Sequence, residues 1–176
     1  MIKILLTQLN GYFKNLAENE ETAIEDGARL LAQAIMGDGR LLIHGFDEME
    51  AVVLEATKGQ ETLPKAEPLI ENGTIRSDID NTDRVLLIAR FCNDERAIAL
   101  AEQLRGQVPV VAISATVGEG RSLADAVDVH IDSKLTKPLI PKDDGTRFGF
   151  PALMTALFAY YCLFFTIHEI LDEYDE

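Results

Sequence analysis

Residues 84–114, RVLLIARFCNDERAIALAEQLRGQVPVVAIS, read as strand, turn, helix, turn and strand. RVLLIA and PVVAIS are short, almost uncharged and rich in Val and Ile, the composition of strands covered on both faces. Between them, Asn93 to Leu104 places Ile98, Ala101 and Leu104 on one helical face. Asn93 is positioned to cap that helix, with Asp94 and Glu95 in its first turn. A strand, a helix and a parallel strand in so short a span form a right-handed crossover.

The same grammar runs through the rest of the chain. Residues 1–37 are expected to form an N-terminal helical region, with Leu5, Leu9, Phe13 and Leu16, then Ile24, Ala28, Leu31 and Ile35, on repeating faces. Gly37-Asp38-Gly39 ends it. Arg40–Gly45 reads as the first strand and Asp47–Thr57 as the helix after it. A weaker strand is expected at Glu67–Ile70, the third at Val85–Ala89, the fourth at Val110–Ser114 and the fifth at Val127–Ile131. Ser122, with Asp125 three residues on, marks the start of a short helix. An irregular loop of basic and turn-forming residues then leads into a last helix over 150–174. The pattern predicts one α/β domain over 1–176, a three-layer α-β-α sandwich around a five-stranded parallel, flavodoxin-like sheet. Ligands of such sheets bind outside the carboxyl ends of the strands, where strand order reverses. If the first and third strands are neighbours, the loops after His44 and Ala89 meet there.

With 176 residues, 47% of them hydrophobic, the chain suits a single full-sized core. Sixteen basic and thirty acidic side chains leave a formal charge of −14, which disfavours nucleic acid and anionic membranes as partners. Cys92 and Cys162 fit a reducing cytoplasm better than a disulfide framework, and the apolar start MIKILL is too short for a secretory signal. Phe148–Ile167 carries no charge and reaches the roughly 20 residues needed to cross a bilayer. Pro151 can start a helix inside it, however, and its alanines and threonines dilute its hydrophobicity. A helix buried between a sheet and a partner subunit is the favoured reading, and it implies an oligomer.

The phrases ARLLAQAIMGDGRLLIHG, DIDNTDRVLLIA and PVVAISATVGEGRSLADAVDVHID resemble the sugar isomerase (SIS) family of phosphosugar-binding domains. The resemblance covers nearly the whole chain, and its compactness and long terminal helices are most similar to phosphoheptose isomerases, with an acidic bacterial subgroup closer still. It implies a homodimer or homotetramer that binds a sugar phosphate, without a cofactor. In the family, a Ser/Thr-rich loop after the third strand holds the phosphate at a helix N-terminus. Here that loop is Arg90-Phe91-Cys92-Asn93-Asp94-Glu95, without a hydroxyl, and the loop after the first strand is Gly45-Phe46-Asp47-Glu48. A carboxylate about 4 Å from a phosphate costs on the order of 1 kcal/mol in water. The inherited anion site is therefore expected to be weakened. Both loops, together with Ser114 at the end of the fourth strand, remain the expected ligand-binding residues.

Lys134, Lys137, Lys142 and Arg147 form a basic cluster after the fifth strand. Arg147 has the fork geometry that suits phosphate and Lys137 a point charge. A solvated loop with ordinary charges, or one that locks subunits together, is an equal alternative.

Aldose–ketose isomerisation needs a base to move a proton between adjacent carbons and an acid at the oxygens. TIHEILDEYDE resembles the end of the last helix in phosphoheptose isomerases, which makes His168 a catalytic candidate; Tyr160 stands near the place of an expected glutamine. Glu55 or Glu48 would supply the family's carboxylate. Ala51 then replaces a histidine one turn earlier, so no tightly bound metal is expected. Helix-start and surface charge is the favoured reading of the two glutamates, and a helix-end histidine facing water or the subunit interface that of His168. His44 ends the first strand as either a site residue or a core histidine, His130 reads as structural, and Cys92 lacks a paired base. Two functions follow: a sugar-phosphate-binding protein with phosphoheptose-isomerase-like activity, or a non-catalytic SIS-fold homo-oligomer serving as ligand sensor or protein-interaction module.

Overall fold

The computed structural model describes residues 1–175. The chain begins with two helices, α1 (Ile2–Asn19) and α2 (Glu21–Met36), separated only by Glu20. β1 (Leu41–Gly45) follows, then a 3-10 turn at Asp47–Met49 and α3 (Glu50–Lys58). β2 (Ala66–Pro68) is succeeded by a small antiparallel hairpin of β3 (Ile70–Glu71) and β4 (Thr74–Ile75). β5 (Arg84–Phe91), α4 (Glu95–Leu104), β6 (Val110–Ala115), α5 (Leu123–Ala126) and β7 (Val129–Asp132) complete the alternation. A second hairpin, β8 (Ile140–Pro141) with β9 (Arg147–Phe148), precedes α6 (Ala152–Asp175).

The central sheet has five strands in the order β2-β1-β5-β6-β7, every pair parallel. The expected α-β-α layering is present. Alternate strand residues serve opposite cores, as the two-residue period of a strand requires. Leu41, Ile43, Leu86, Ile88, Val111 and Ile113 face α1, α2, α3 and α6; Leu42, Val85, Leu87, Val110 and Ala112 face α4 and α5. α6 is a structural layer of the first core, with Ala159, Leu163 and Ile167 fully buried. Its outer side leaves Met154 and Phe165 exposed, so it is half covered rather than enclosed.

Several local expectations shift. Asp94, not Asn93, caps α4: its side chain accepts the amides of Arg96 and Ala97. The helix after β1 starts as a 3-10 turn, and the fifth expected strand begins at Val129 because Val127 and Asp128 serve as the exit from α5. Ser122 caps α5 through its hydroxyl as expected. The basic loop is not irregular, since Leu139 and Lys142 pair by backbone with Gly149 and Thr146.

At the amino end of the sheet, buried Asp83 ties β1 to β5. Its carboxylate accepts from the backbone N–H and the guanidinium of Arg40 and from the amide of Asp80. Burial pushes its pKa up, but these hydrogen bonds outweigh that and hold it below the ordinary carboxylate value.

Candidate functional site

Because β1 and β5 are adjacent and β2 lies on the opposite side of β1, strand order reverses between β1 and β5. The turns following these two strands therefore share one edge of the sheet. Gly45 makes the first turn possible: a Cβ there would lie 2.1 Å from the carbonyl oxygen of Met49, which folds back over the strand end. Phe46 anchors the turn by donating its amide to Ile88 O at 2.9 Å. Asp47 follows in the left-handed region (φ 54°), a conformation Asp tolerates better than most residues.

That turn presents two carboxylates, and β5 and α4 answer with two guanidinium groups. Arg90 donates Nε to Glu48 Oε1 at 2.7 Å and Nη2 to Oε2 at 2.5 Å. Arg96 donates Nη1 and Nη2 to the two oxygens of Asp47, at 3.1 and 2.6 Å, and also binds Asp94. The Arg96 guanidinium lies over the ring of Phe46, 5.4 Å from its centroid. Hydrogen bonds from these arginines hold Glu48, Asp47 and Asp94 below their usual carboxylate pKa values. The acidity that the sequence placed at the expected ligand loops is thus neutralised locally. Neither Arg96 nor its pairing with Asp47 was anticipated, because the two lie 49 positions apart and meet only once β1 and β5 pair.

Two hollows flank this turn. One, of about 380 Å³, is lined by Glu48, Arg90, Phe91 and Phe150, with the two phenyl rings edge to face at 5.7 Å. The other, of about 480 Å³, lies on the β2 side and includes His44, Phe46, Asp47 and Arg96.

The remaining candidates scatter. Cys92 is buried, and its sulfur takes the Val117 amide at 3.3 Å, while Asn93 remains exposed in the β5–α4 turn. Ser114 is fully buried, with its hydroxyl 2.7 Å from His130 Nε2. Arg147 spends its guanidinium on the carbonyls of Pro138 and Leu139, and Lys137 borders a polar hollow with Gln8, Tyr12 and Asn15 of α1. Neither is brought into contact with Arg90 or Glu48 among the described residues.

Glu55, on α3, accepts the hydroxyl of Tyr161 at 2.5 Å. Tyr161 was not anticipated; α6 and α3 are far apart in sequence, and the contact depends on how their helices dock. His168 packs on Phe164, ring centroids 4.5 Å apart, and its Nε2 is buried without a partner. It lies seven residues beyond Tyr161, or about 10 Å along the helix axis. No hydrogen bond joins Glu55 to His168 among the described residues. The described residues contain no group of three or more His, Cys, Asp or Glu side chains able to hold a metal ion.

The family described as a domain of unknown function (DUF2529) matches residues 1–171, and the chain belongs to it. It is 42% identical over 175 residues to the uncharacterized protein YwjG of Bacillus subtilis (strain 168), covering 99% of each chain. Among solved structures it is similar to a putative phosphosugar isomerase involved in capsule formation from Bacteroides fragilis. That match has 15% identity and a TM-score of 0.59, covering 97% of this chain and 92% of the other. A phosphoheptose isomerase from Francisella tularensis gives 16% identity and a TM-score of 0.58, covering 92% of this chain and 97% of the other. At these identities the likeness is one of fold: these are SIS-fold proteins, and this chain shares their architecture.

Proposed function

We propose that this member of the DUF2529 family binds a sugar phosphate at the turn between β1 and β5. The observation carrying the proposal is the convergence of Arg90 and Arg96 on one sheet edge, where strand order reverses in a fold shared with phosphosugar isomerases. Arginine forks suit phosphate as well as carboxylate. A phosphate entering between them takes the place of Glu48 and Asp47, which hold the arginines in its absence.

The reaction proposed is aldose–ketose isomerisation of the phosphoheptose type. Glu55 removes the proton from the carbon next to the carbonyl and returns it to the neighbouring carbon. His168 exchanges protons with the sugar oxygens. Tyr161 positions Glu55 by the hydrogen bond it donates. Both transfers take place at two adjacent carbons and their oxygens, so this reaction requires Glu55 and His168 to reach the same end of one sugar. The chain works as a homo-oligomer in the cytoplasm: exposed apolar side chains on α1 (Ile2, Leu6) and α6 (Met154, Phe165) support self-association.

A second reading draws on the same arginines. Both are already satisfied by carboxylates, and the β5–α4 loop lacks hydroxyls, which favours a non-catalytic sensor or protein-interaction module. Thermal unfolding with sedoheptulose 7-phosphate and glucose 6-phosphate, against inorganic phosphate, separates the readings. A ligand at about 100 times its dissociation constant adds roughly 2.7 kcal/mol. A sugar-specific rise in Tm that Arg90→Ala and Arg96→Ala abolish supports the site, and turnover of sedoheptulose 7-phosphate supports the enzyme. No shift with any sugar phosphate overturns the proposal.

A further inference from the structure

The hollow on the β2 side of the Asp47 turn exists because β2 is short. It stops at Pro68, opposite Ile43, so no strand flanks the carboxyl end of β1 beyond that point on this side. α3 and the β3–β4 hairpin wall the gap, leaving the cleft of about 480 Å³.

Four polar side chains of different chemistry border it: the imidazole of His44, the carboxylate of Glu50, the ammonium of Lys58 and the amide of Asn72. Among the described residues, none of the four makes a side-chain hydrogen bond or ion pair. His44 is half-buried, its ring edge-on to Phe46 with centroids 4.6 Å apart. Burial lowers its pKa against the opposing pull of Glu50, so near pH 7 the ring is neutral, with one donor and one acceptor. Asn72 sits at the hairpin tip in the left-handed region (φ 51°). Glu50 and Lys58 stand at opposite ends of α3, about 12 Å apart along its axis. Mixed donors and acceptors spaced along the cleft match a row of hydroxyl groups better than a single charge. Arg96 closes one end, adjoining the turn.

We infer that this cleft receives the hydroxyl-bearing carbon chain of an open-chain sugar phosphate, with its phosphate against Arg96 and its hydroxyls on His44, Glu50 and Asn72. The inference rests on the sugar-phosphate-binding reading above and gives that ligand its direction: along α3 toward the β3–β4 hairpin, away from the Phe91–Phe150 side. Glu55 and His168 do not line this cleft, so a ligand held in it accords with the sensor reading rather than with the isomerase. His44 and Asn72 then discriminate a sugar phosphate from phosphate alone.

The chain has only three histidines, so its imidazole signals can be followed by NMR while sedoheptulose 7-phosphate is added. The His44 signal is expected to move, while that of His130, bound to Ser114, stays. Asn72→Gly removes the amide but keeps the left-handed turn, and His44→Ala removes the ring. Each is expected to weaken sugar-phosphate binding about tenfold, roughly one hydrogen bond, and leave inorganic phosphate within about twofold. Arg-dependent binding of the sugar phosphate with an unmoved His44 signal and unaltered affinity in Asn72→Gly overturns the inference alone. Absence of any sugar-phosphate binding overturns both readings.

Discussion

Arg90 and Glu48 face each other through two parallel hydrogen bonds, from the end of β5 to the turn after β1. The pair closes the point where strand order reverses, yet both side chains remain part-exposed, at 41% and 33%. Solvent screening keeps such a pair modest in stability, of order 1 kcal/mol or less. Its larger consequence is electrostatic, because it occupies the guanidinium to which the proposed phosphate ligand is assigned.

Glu48→Gln should therefore release Arg90 at little cost to folding. Relief of a repulsion of about 1 kcal/mol corresponds to roughly fivefold tighter binding of phosphate or sugar phosphate. Titration calorimetry checks this; unchanged affinity would place the anion elsewhere.

Gly45→Ala is expected to unfold the turn locally. The new Cβ would meet backbone, not a flexible side chain, at 2.1 Å from Met49 O. Loss of about 2 kcal/mol or more in chemical denaturation is expected, together with loss of anion binding, since the turn places both Asp47 and Glu48.

Asp83→Ala leaves Arg40 with one fewer carboxylate at a nearly buried position, Asp83 being 2% exposed. About 3 kcal/mol of stability should go. The native carboxyl titrates below its ordinary value, so the unfolded chain binds a proton first as the pH falls. The contribution of Asp83 is complete above about pH 4 and disappears as the pH falls through the lower native value. Asp83→Asn should show a flatter acid limb in Tm against pH than the native protein.

His130 makes a second pH prediction. Burial lowers its pKa, with Asp132 and Glu20 opposing and Lys134 assisting. The native state therefore resists protonation, and stability is full above about pH 6.5 and lost as the pH drops through the lower native value. An NMR titration should give His130 a midpoint below that of an unfolded control, and an unshifted midpoint would contradict the buried Ser114 contact.

Tyr161→Phe removes a single hydrogen bond to Glu55 and should cost about 1 kcal/mol. If Glu55 is the proton-transfer base, Glu55→Gln abolishes isomerase turnover while Tyr161→Phe only slows it. Equal rates in the wild type and Glu55→Gln would rule that role out.

The strands and most helices were legible in sequence because strand burial on two faces leaves runs such as VLLIA and VVAIS, and helical packing leaves a repeating apolar face. The meeting of the β1 and β5 turns was legible only on the condition that the two strands are neighbours, and that adjacency is fixed by the sheet order. Boundaries at helix caps were less secure. Asn93 and Asp94 are adjacent residues with similar capping chemistry, and only the backbone path into α4 selects the second.

Sequence by itself determined the layered α/β architecture, since hydrophobic period is a local property carried by each segment. It could not assign partners to charges. That Arg96 reaches Asp47 and that Tyr161 reaches Glu55 are decided by side chains distant in sequence. Such pairings depend on the register of β1 with β5 and the docking of α6 on α3, and so become fixed only when the tertiary structure forms.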